Sequence, residues 1–204
     1  MNTVRNIKFI LFLLISAFSA NVLAEANPKV IVESATDQML MELKANKDAI
    51  ATDKTIVNGI VEKLLLPHFA YKTISRKVLG KYARKATDEQ KQQFADAFKG
   101  YMVRFYSNAF AEYTDETVDV LDAPDFSKAK RVTIKTRLNQ KASGPIPIDY
   151  KMQRSGESWK IIDVTIEGIS LVISNRTQFG NSIKRDGLDT VIAKLAYKNK
   201  TVAE

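Results

Sequence analysis

Cysteine is absent from all 204 residues, and histidine occurs once, at His68. The missing cysteine excludes a disulfide framework, a zinc ribbon, a thiol nucleophile and an iron–sulfur site. It does not identify the compartment, because an oxidising one permits disulfides without requiring them. A serine triad or a histidine general base would have to use His68, and no G-x-S-x-G accompanies it. Its place just after Pro67 points to a surface or interhelix packing role. H-E-x-x-H, an Asp/Asn calcium loop, a P-loop and G-x-G-x-x-G are all missing, so neither a metal nor a nucleotide cofactor has support in the sequence.

Long apolar runs are also missing after the first 24 residues. Arg5 and Lys8 form a short basic head before the apolar run Phe9 to Phe18, and Val22 and Ala24 supply small residues at the −3 and −1 positions of a cleavage site. The run is shorter than the ~20 residues of a spanning helix. We therefore expect residues 1–24 to be a cleaved secretory signal peptide, cut near Ala24 with Ala26 as the other option. Residues 25–204 then form a single exported domain that does not span a membrane. Its size needs no covalent staple. The net charge of +8 falls to about +6 without Arg5 and Lys8, a balance that suits an anionic membrane surface or acidic partners.

What the sequence does have is periodicity. Asn27-Pro28 starts a helix with Ile31, Ala35, Met39, Leu40 and Leu43 on one face. Asp53 can cap a second, carrying Ile56, Val57, Ile60, Val61 and Leu64 and stopped by Pro67. A short third helix ends at Gly80. Thr87 and Gln90 form a capping box that opens the strongest helix, where Phe94, Phe98, Tyr101, Met102, Phe105, Tyr106, Phe110 and Tyr113 recur at three- and four-residue steps.

The period then changes to two. Val132, Ile134, Thr136 and Leu138 alternate with Arg131, Thr133, Lys135 and Arg137; Ile146, Ile148, Tyr150 and Met152 alternate with Asp149 and Lys151. Ser155 to Ser158 make a hairpin turn into a strand with Ile162, Val164 and Ile166 on one face and Asp163, Thr165 and Glu167 on the other. Helical spacing returns after Gly168, and Gly187 breaks it before a last helix, Asp189 to Lys198. The fold class is α+β: N-terminal helices, an antiparallel curved sheet of about four strands, and two closing C-terminal helices.

Chemistry is scarce on this frame. Asp163 and Glu167 lie ~13 Å apart along one strand face, too far for a glycosidase pair. Asp163 with Tyr150 or Tyr106 is the one enzymatic arrangement, that of a cone-fold isomerase or hydrolase. The basic strand residues, Arg154 and Lys160 among them, read as a charged outer face; they lack the interleaved aromatics of a single-strand nucleic-acid surface. Periodicity alone leaves two uses for the aromatic helix and the apolar sheet face. They pack on each other, or they stand apart around an apolar guest.

Two blocks carry a resemblance. Leu64 to Phe110 contains L-L-P, L-G-K-Y and A-T-x-x-Q followed by the aromatic helix; Trp159 to Leu195 contains W-K, D-V, E-G-I-S, x-Q-F and x-G-L-D. In order and content these resemble the periplasmic phospholipid-binding proteins of the Mla pathway, also known as toluene-tolerance auxiliary transport proteins. The family often has an acidic residue where this chain has Ala70, and an aromatic where it has Ala83. The resemblance implies a carrier, not an enzyme, whose sheet and helices enclose an apolar pocket for both acyl chains of a glycerophospholipid. Carried onto this chain, the pocket is lined by Phe98, Met102, Tyr106 and Phe110 of the helix, by Ile146, Ile148, Tyr150, Met152 and Ile166 of the strands, and by Ile169 and Val172. It further implies shuttling between an inner-membrane ABC-transporter complex with an MCE-domain ring and an outer-membrane lipoprotein–porin complex, which maintains outer-membrane lipid asymmetry. Nucleic acid is not an expected partner. A periplasmic binding protein for a fatty acid or a hydrophobic solvent is the other reading of such a pocket.

Overall fold

The computed structural model describes residues 26–112, 116–141 and 144–200. The expected signal peptide and Tyr113 lie outside them. Helix α1 (Pro28–Ala45) starts where the side chain of Asn27 accepts from the Lys29 amide at 2.9 Å, and it buries Val32, Ala35, Met39 and Leu43. Ile31 and Leu40, expected on that face, are only half buried. A short α2 (Lys47–Thr52), which the sequence did not announce, leads to α3 (Ile56–Ile60). Asp53 does not cap α3 directly; its carboxylate accepts from the backbone and hydroxyl of Thr55 at 2.8 and 2.6 Å, turning the chain into the helix. Beyond α3 the chain widens into a π-helical turn at Val61–Leu65 and tightens at Leu66–His68 around Pro67.

Helix α4 (Tyr71–Leu79) ends at Gly80, whose φ of 54° and ψ of −120° suit glycine alone. A Cβ there would also stand 3.2 Å from the Arg176 side chain. Helix α5 (Asp88–Phe110) carries the expected capping box: Thr87 Oγ1 accepts from the Gln90 amide at 3.1 Å, and Gln90 Oε1 from the Thr87 amide at 3.0 Å. The sheet is an antiparallel meander of five strands in chain order, β1 (Thr117–Val120), β2 (Arg131–Asn139), β3 (Ile146–Ser155), β4 (Ser158–Ile166) and β5 (Ile169–Ser170). The two-residue turn into β5 puts Glu167 (φ 48°) and Gly168 (φ 81°) in the left-handed region that twists strands correctly at a tight hairpin. Helices α6 (Leu171–Asp186) and α7 (Leu188–Lys200) close the chain.

One register detail departs from simple alternation. Met152 pairs with Ile161 and Lys151 with Asp163, so Ile162 is the extra residue of a β-bulge. Ile161, not Ile162, therefore shares the core face with Val164. At the end of the hairpin Arg154, on the same face of β3 as Met152, stacks 4.7 Å from the Trp159 ring and donates to the carbonyls of Phe126 and Ala129. Arg154 is thus an anchor for the β1–β2 connection, not a member of a solvated outer face.

The main core lies between the sheet and helices α4 to α7 and is centred on Phe94, Phe98, Met102, Ile134, Met152 and Trp159. A second cluster of Met39, Leu43, Ile50, Val57 and Val61 sits under α1 to α3 against the far end of α5. Among the described residues, no helix is long and apolar enough to cross a membrane, and no group of three or more potential ligands could hold a metal ion.

Candidate functional site

The aromatic stripe of α5 packs into the main core but leaves one small gap against β4 and α6. Phe98, Met102 and Tyr106 face Val164 of β4, Ile74 of α4 and Val172 of α6 across a cavity of about 30 Å³. Rings form much of its wall: Tyr106 lies 5.4 Å from Phe69 and 5.5 Å, edge-on, from Phe105. Behind the wall, Phe179 of α6 braces the lining rings Phe98 and Tyr101 edge-on at 5.9 and 5.3 Å, and meets Phe94 at 5.8 Å. Edge-to-face pairs fix ring positions through their quadrupoles, so this wall has a defined shape.

Polar groups interrupt it. Asp163 and Asn175 also line the cavity. Asp163 holds the start of α6: one oxygen accepts from Ser170 Oγ at 2.7 Å and the other from the Val172 amide at 3.2 Å, while Ser170 Oγ accepts from the Ile173 amide at 3.1 Å. Both carboxylate oxygens are thus engaged at a helix N-terminus, where negative charge is favoured. This is an anchoring role, and it draws Asp163 away from the duty of a general base. Asn175 donates to the Leu171 carbonyl at 2.8 Å, but its Oδ1 is buried with no partner. Burial holds the Tyr106 hydroxyl far above its ordinary range, reinforced by Tyr150 and Asp163, and burial pushes Tyr150 up to about 12. His68 lies elsewhere, its pKa lowered by burial and by Lys160.

The sequence-based site residues divide. Phe98, Met102, Tyr106 and Val172 meet at the cavity. Ile148, Tyr150, Met152 and Ile166 stand in the main core behind it, Met152 fully buried and the others half buried. Ile146 is half buried opposite Leu138. Phe110 is not brought to the cavity: it packs on the second cluster and lines a surface cleft with Leu43 and Ile50. Ile169 is 62% exposed, because it belongs to the β5 hairpin and not to the first turn of α6. Phe69 and Leu171 are lining residues that the periodicity missed. Phe69 sits in an irregular segment held by a bridge to Ile161, and Leu171 lies where the strand and helix periods meet.

The geometry defines a class: a small α+β protein with a largely apolar interior site walled by one long helix, a meander sheet and a capped closing helix. Comparison with known proteins gives the family. The MlaC protein family matches residues 33–197, and the chain belongs to it. It is 31% identical over 182 residues to the toluene tolerance protein ttg2D of Pseudomonas putida, covering 88% of this chain and 83% of that one. It is 26% identical over 192 residues to the intermembrane phospholipid transport system binding protein MlaC of Haemophilus influenzae, covering 91% and 89%. The structure of a Ralstonia solanacearum phospholipid-binding protein in complex with a phospholipid superposes with a TM-score of 0.76 at 27% identity, covering 88% of this chain and all of that one. The last two are named for phospholipid binding or transport, in keeping with a carrier and not an enzyme.

Proposed function

We propose that this protein is a periplasmic carrier of glycerophospholipid, loaded between α5, β4 and α6, that shuttles lipid between an inner-membrane ABC-transporter complex and an outer-membrane lipoprotein–porin complex. Delivery of that kind maintains the asymmetry of the outer membrane. The reading is carried by one observation: the aromatic helix and the sheet of a chain in this family meet around a site where they do not close on each other. The likeness to a protein solved with a phospholipid supports the choice of guest.

Physical chemistry says why such a carrier is needed. Two long acyl chains hold roughly 30 methylenes, and at ~0.8 kcal/mol each their exposure to water costs on the order of 24 kcal/mol. A barrier of that height limits spontaneous escape from a bilayer to about 10⁻⁵ per second. A protein interior that replaces bilayer contacts removes most of the barrier without having to bind more tightly than the membrane does. The cavity is an order of magnitude below the roughly 300–1,000 Å³ of ordinary ligand pockets, so loading requires its walls to separate. Phe98, Met102, Tyr106 and Val172 are the side chains we assign to the acyl chains, with Tyr150, Ile148 and Ile166 as the sheet wall exposed on opening. The sequence carries neither a P-loop nor G-x-G-x-x-G, and on this reading direction comes from partners.

Mass spectrometry of an organic extract from protein purified without detergent tests the proposal. The expected result is near-stoichiometric phospholipid with two acyl chains, lost in Tyr106→Glu while the circular dichroism spectrum is kept. A lipid-free extract from folded, monodisperse protein would mean that helix and sheet simply pack together; fatty acid alone in the extract would favour the other kind of apolar guest.

A further inference from the structure

Outside the cavity, a groove of about 450 Å³ runs between α5, α6 and α7. Its floor is apolar, built from Tyr101, Phe105, Phe179 and Leu195, and four cations, Arg104, Arg185, Lys194 and Lys198, stand around it with one carboxylate, Asp186. That carboxylate is already engaged, accepting from Arg185 Nε at 2.8 Å and Lys194 Nζ at 2.9 Å. Arg104 is different: its Nη1 is buried and has no hydrogen-bond partner. Arginine cannot shed its charge to escape that situation, and a buried charged donor without an acceptor is costly.

We propose that this groove is a second binding site, for an amphiphile whose phosphate pairs with Arg104 and whose alkyl chain lies on the Tyr101–Phe105–Phe179 floor. A guanidinium presents paired donors that match phosphate oxygens, and a half-buried cation beside aromatic rings suits one compact anion joined to a chain. A protein partner fits less well, since a single turn of α-helix, about 10 Å across and 5.4 Å long, would fill this volume by itself. Tyr101 and Phe105 form part of the wall of both the groove and the inner cavity, so the two sites share a wall. The assignment does not depend on what fills the inner cavity.

The test is an amide NMR titration of the ¹⁵N-labelled protein, carrying whatever cargo it purifies with, against three probes: dodecyl phosphate, dodecyl maltoside and inorganic phosphate. Dodecyl phosphate should saturably shift Asn108, Gln178 and Ser182 and leave Val164 and Val172 in place. Arg104→Gln should weaken this at least tenfold, and Gln178→Trp, an exposed position that fills the groove, should do the same without altering Arg104. Co-purified lipid should be unchanged in both variants, so failure of the carrier reading and failure of this one give different results. Equal binding of the maltoside would reduce the groove to an apolar surface. Equal, Arg104-dependent binding of inorganic phosphate would reduce it to an anion site. Shifts centred on Val164 and Val172 would place the probe in the inner cavity, and an acidic peptide that binds through Arg104 where dodecyl phosphate does not would assign the groove to a protein. Each of these overturns the proposal.

Discussion

Helix α5 separates two apolar clusters of different character. On one side Met39, Leu43, Ile50, Val57 and Val61 interlock as aliphatic side chains from α1, α2, α3 and the π-helical turn after it. On the other, rings from α5 and α6 meet a twisted sheet, and the contact encloses a cavity into which tyrosine, aspartate and asparagine project. The aliphatic cluster is bordered by a surface cleft at Leu43, Ile50 and Phe110, and the ring-walled contact by the cavity at Phe98, Met102 and Tyr106, where edge-to-face pairs fix ring positions. On the proposed reading one cluster holds the fold and the other a guest, and Tyr106 touches both.

The sharpest way to break that division is to damage the aliphatic side. Leu43 is 1% exposed, and Leu43→Ala should cost about 2–5 kcal/mol, read as a lower urea midpoint at unchanged slope. Its co-purified lipid per protein should equal wild type. A loss of lipid at a stability that still leaves the protein folded would show that the small cluster is part of the pocket wall.

A smaller effect is expected at the back of α5, where α7 crosses. A Cβ on Gly100 would sit 2.3 Å from Nδ2 of Asn199, an amide already donating to the Ala97 carbonyl at 3.0 Å. Alanine improves a helix by ~1 kcal/mol over glycine, but overpacking costs ~1–3 kcal/mol. The clash is with a short, bonded side chain, so the net sign should be destabilising for Gly100→Ala. Adding Asn199→Ala should recover part of the loss, with a coupling of about 0.5–3 kcal/mol in the double-mutant cycle. Additive losses would mean that the helices separate freely there, and that α7 is not a clamp on the spine shared by both clusters.

The comparison also explains what could be read in advance. The capping box at Thr87, the start at Asn27, the break at Gly80 and the β3–β4 hairpin are local, set by residues within a few positions of one another, and sequence spacing reports them directly. That Phe98, Met102, Tyr106 and Val172 come together at the cavity was legible because they lie on faces that stay regular. The rest depended on long-range events. The bulge at Ile162 shifts a face by one residue and is dictated by the pairing with β3. Phe110 lies on the same stripe as Phe98, but a helix 23 residues long outruns the sheet, so its end serves the other cluster. Ile169 changes role because a two-residue turn adds β5 before α6 can begin, and Phe69 gains its place only through Ile161.

The sheet wall offers a test by pH. Burial raises Tyr150 to about 12 from the usual value near 10. A raised folded-state pKa favours the protonated form, so this contribution to stability is intact below pH ~10 and is lost as pH climbs through about 12. Wild-type stability should fall over that window, and Tyr150→Phe should flatten part of the fall while leaving neutral-pH stability nearly unchanged. An identical alkaline profile for the variant would mean that the Tyr150 hydroxyl is solvated, and that the sheet wall is more open than the cavity implies.

The smallest effect concerns the junction between the clusters. The chain passes from the aliphatic side to the aromatic side at Phe69 and Ala70, where Ala70 donates its amide to Ile161 at 2.9 Å and stands as the N-cap of α4 with no side chain to offer the helix. Resemblance to the family suggests an acidic residue here, which would accept from an exposed amide of the first turn and meet the positive end of the helix dipole. Ala70→Asp should therefore stabilise the protein by about 1 kcal/mol, seen as a higher urea midpoint, and the gain should shrink as pH falls through the aspartate range. The α4 that it secures carries Ile74 into the cavity wall, so the variant should also slow release of lipid to acceptor vesicles. Stabilisation without any change in release would confine α4 to the fold; slower release would make this junction the point through which the structural side of α5 restrains the binding side.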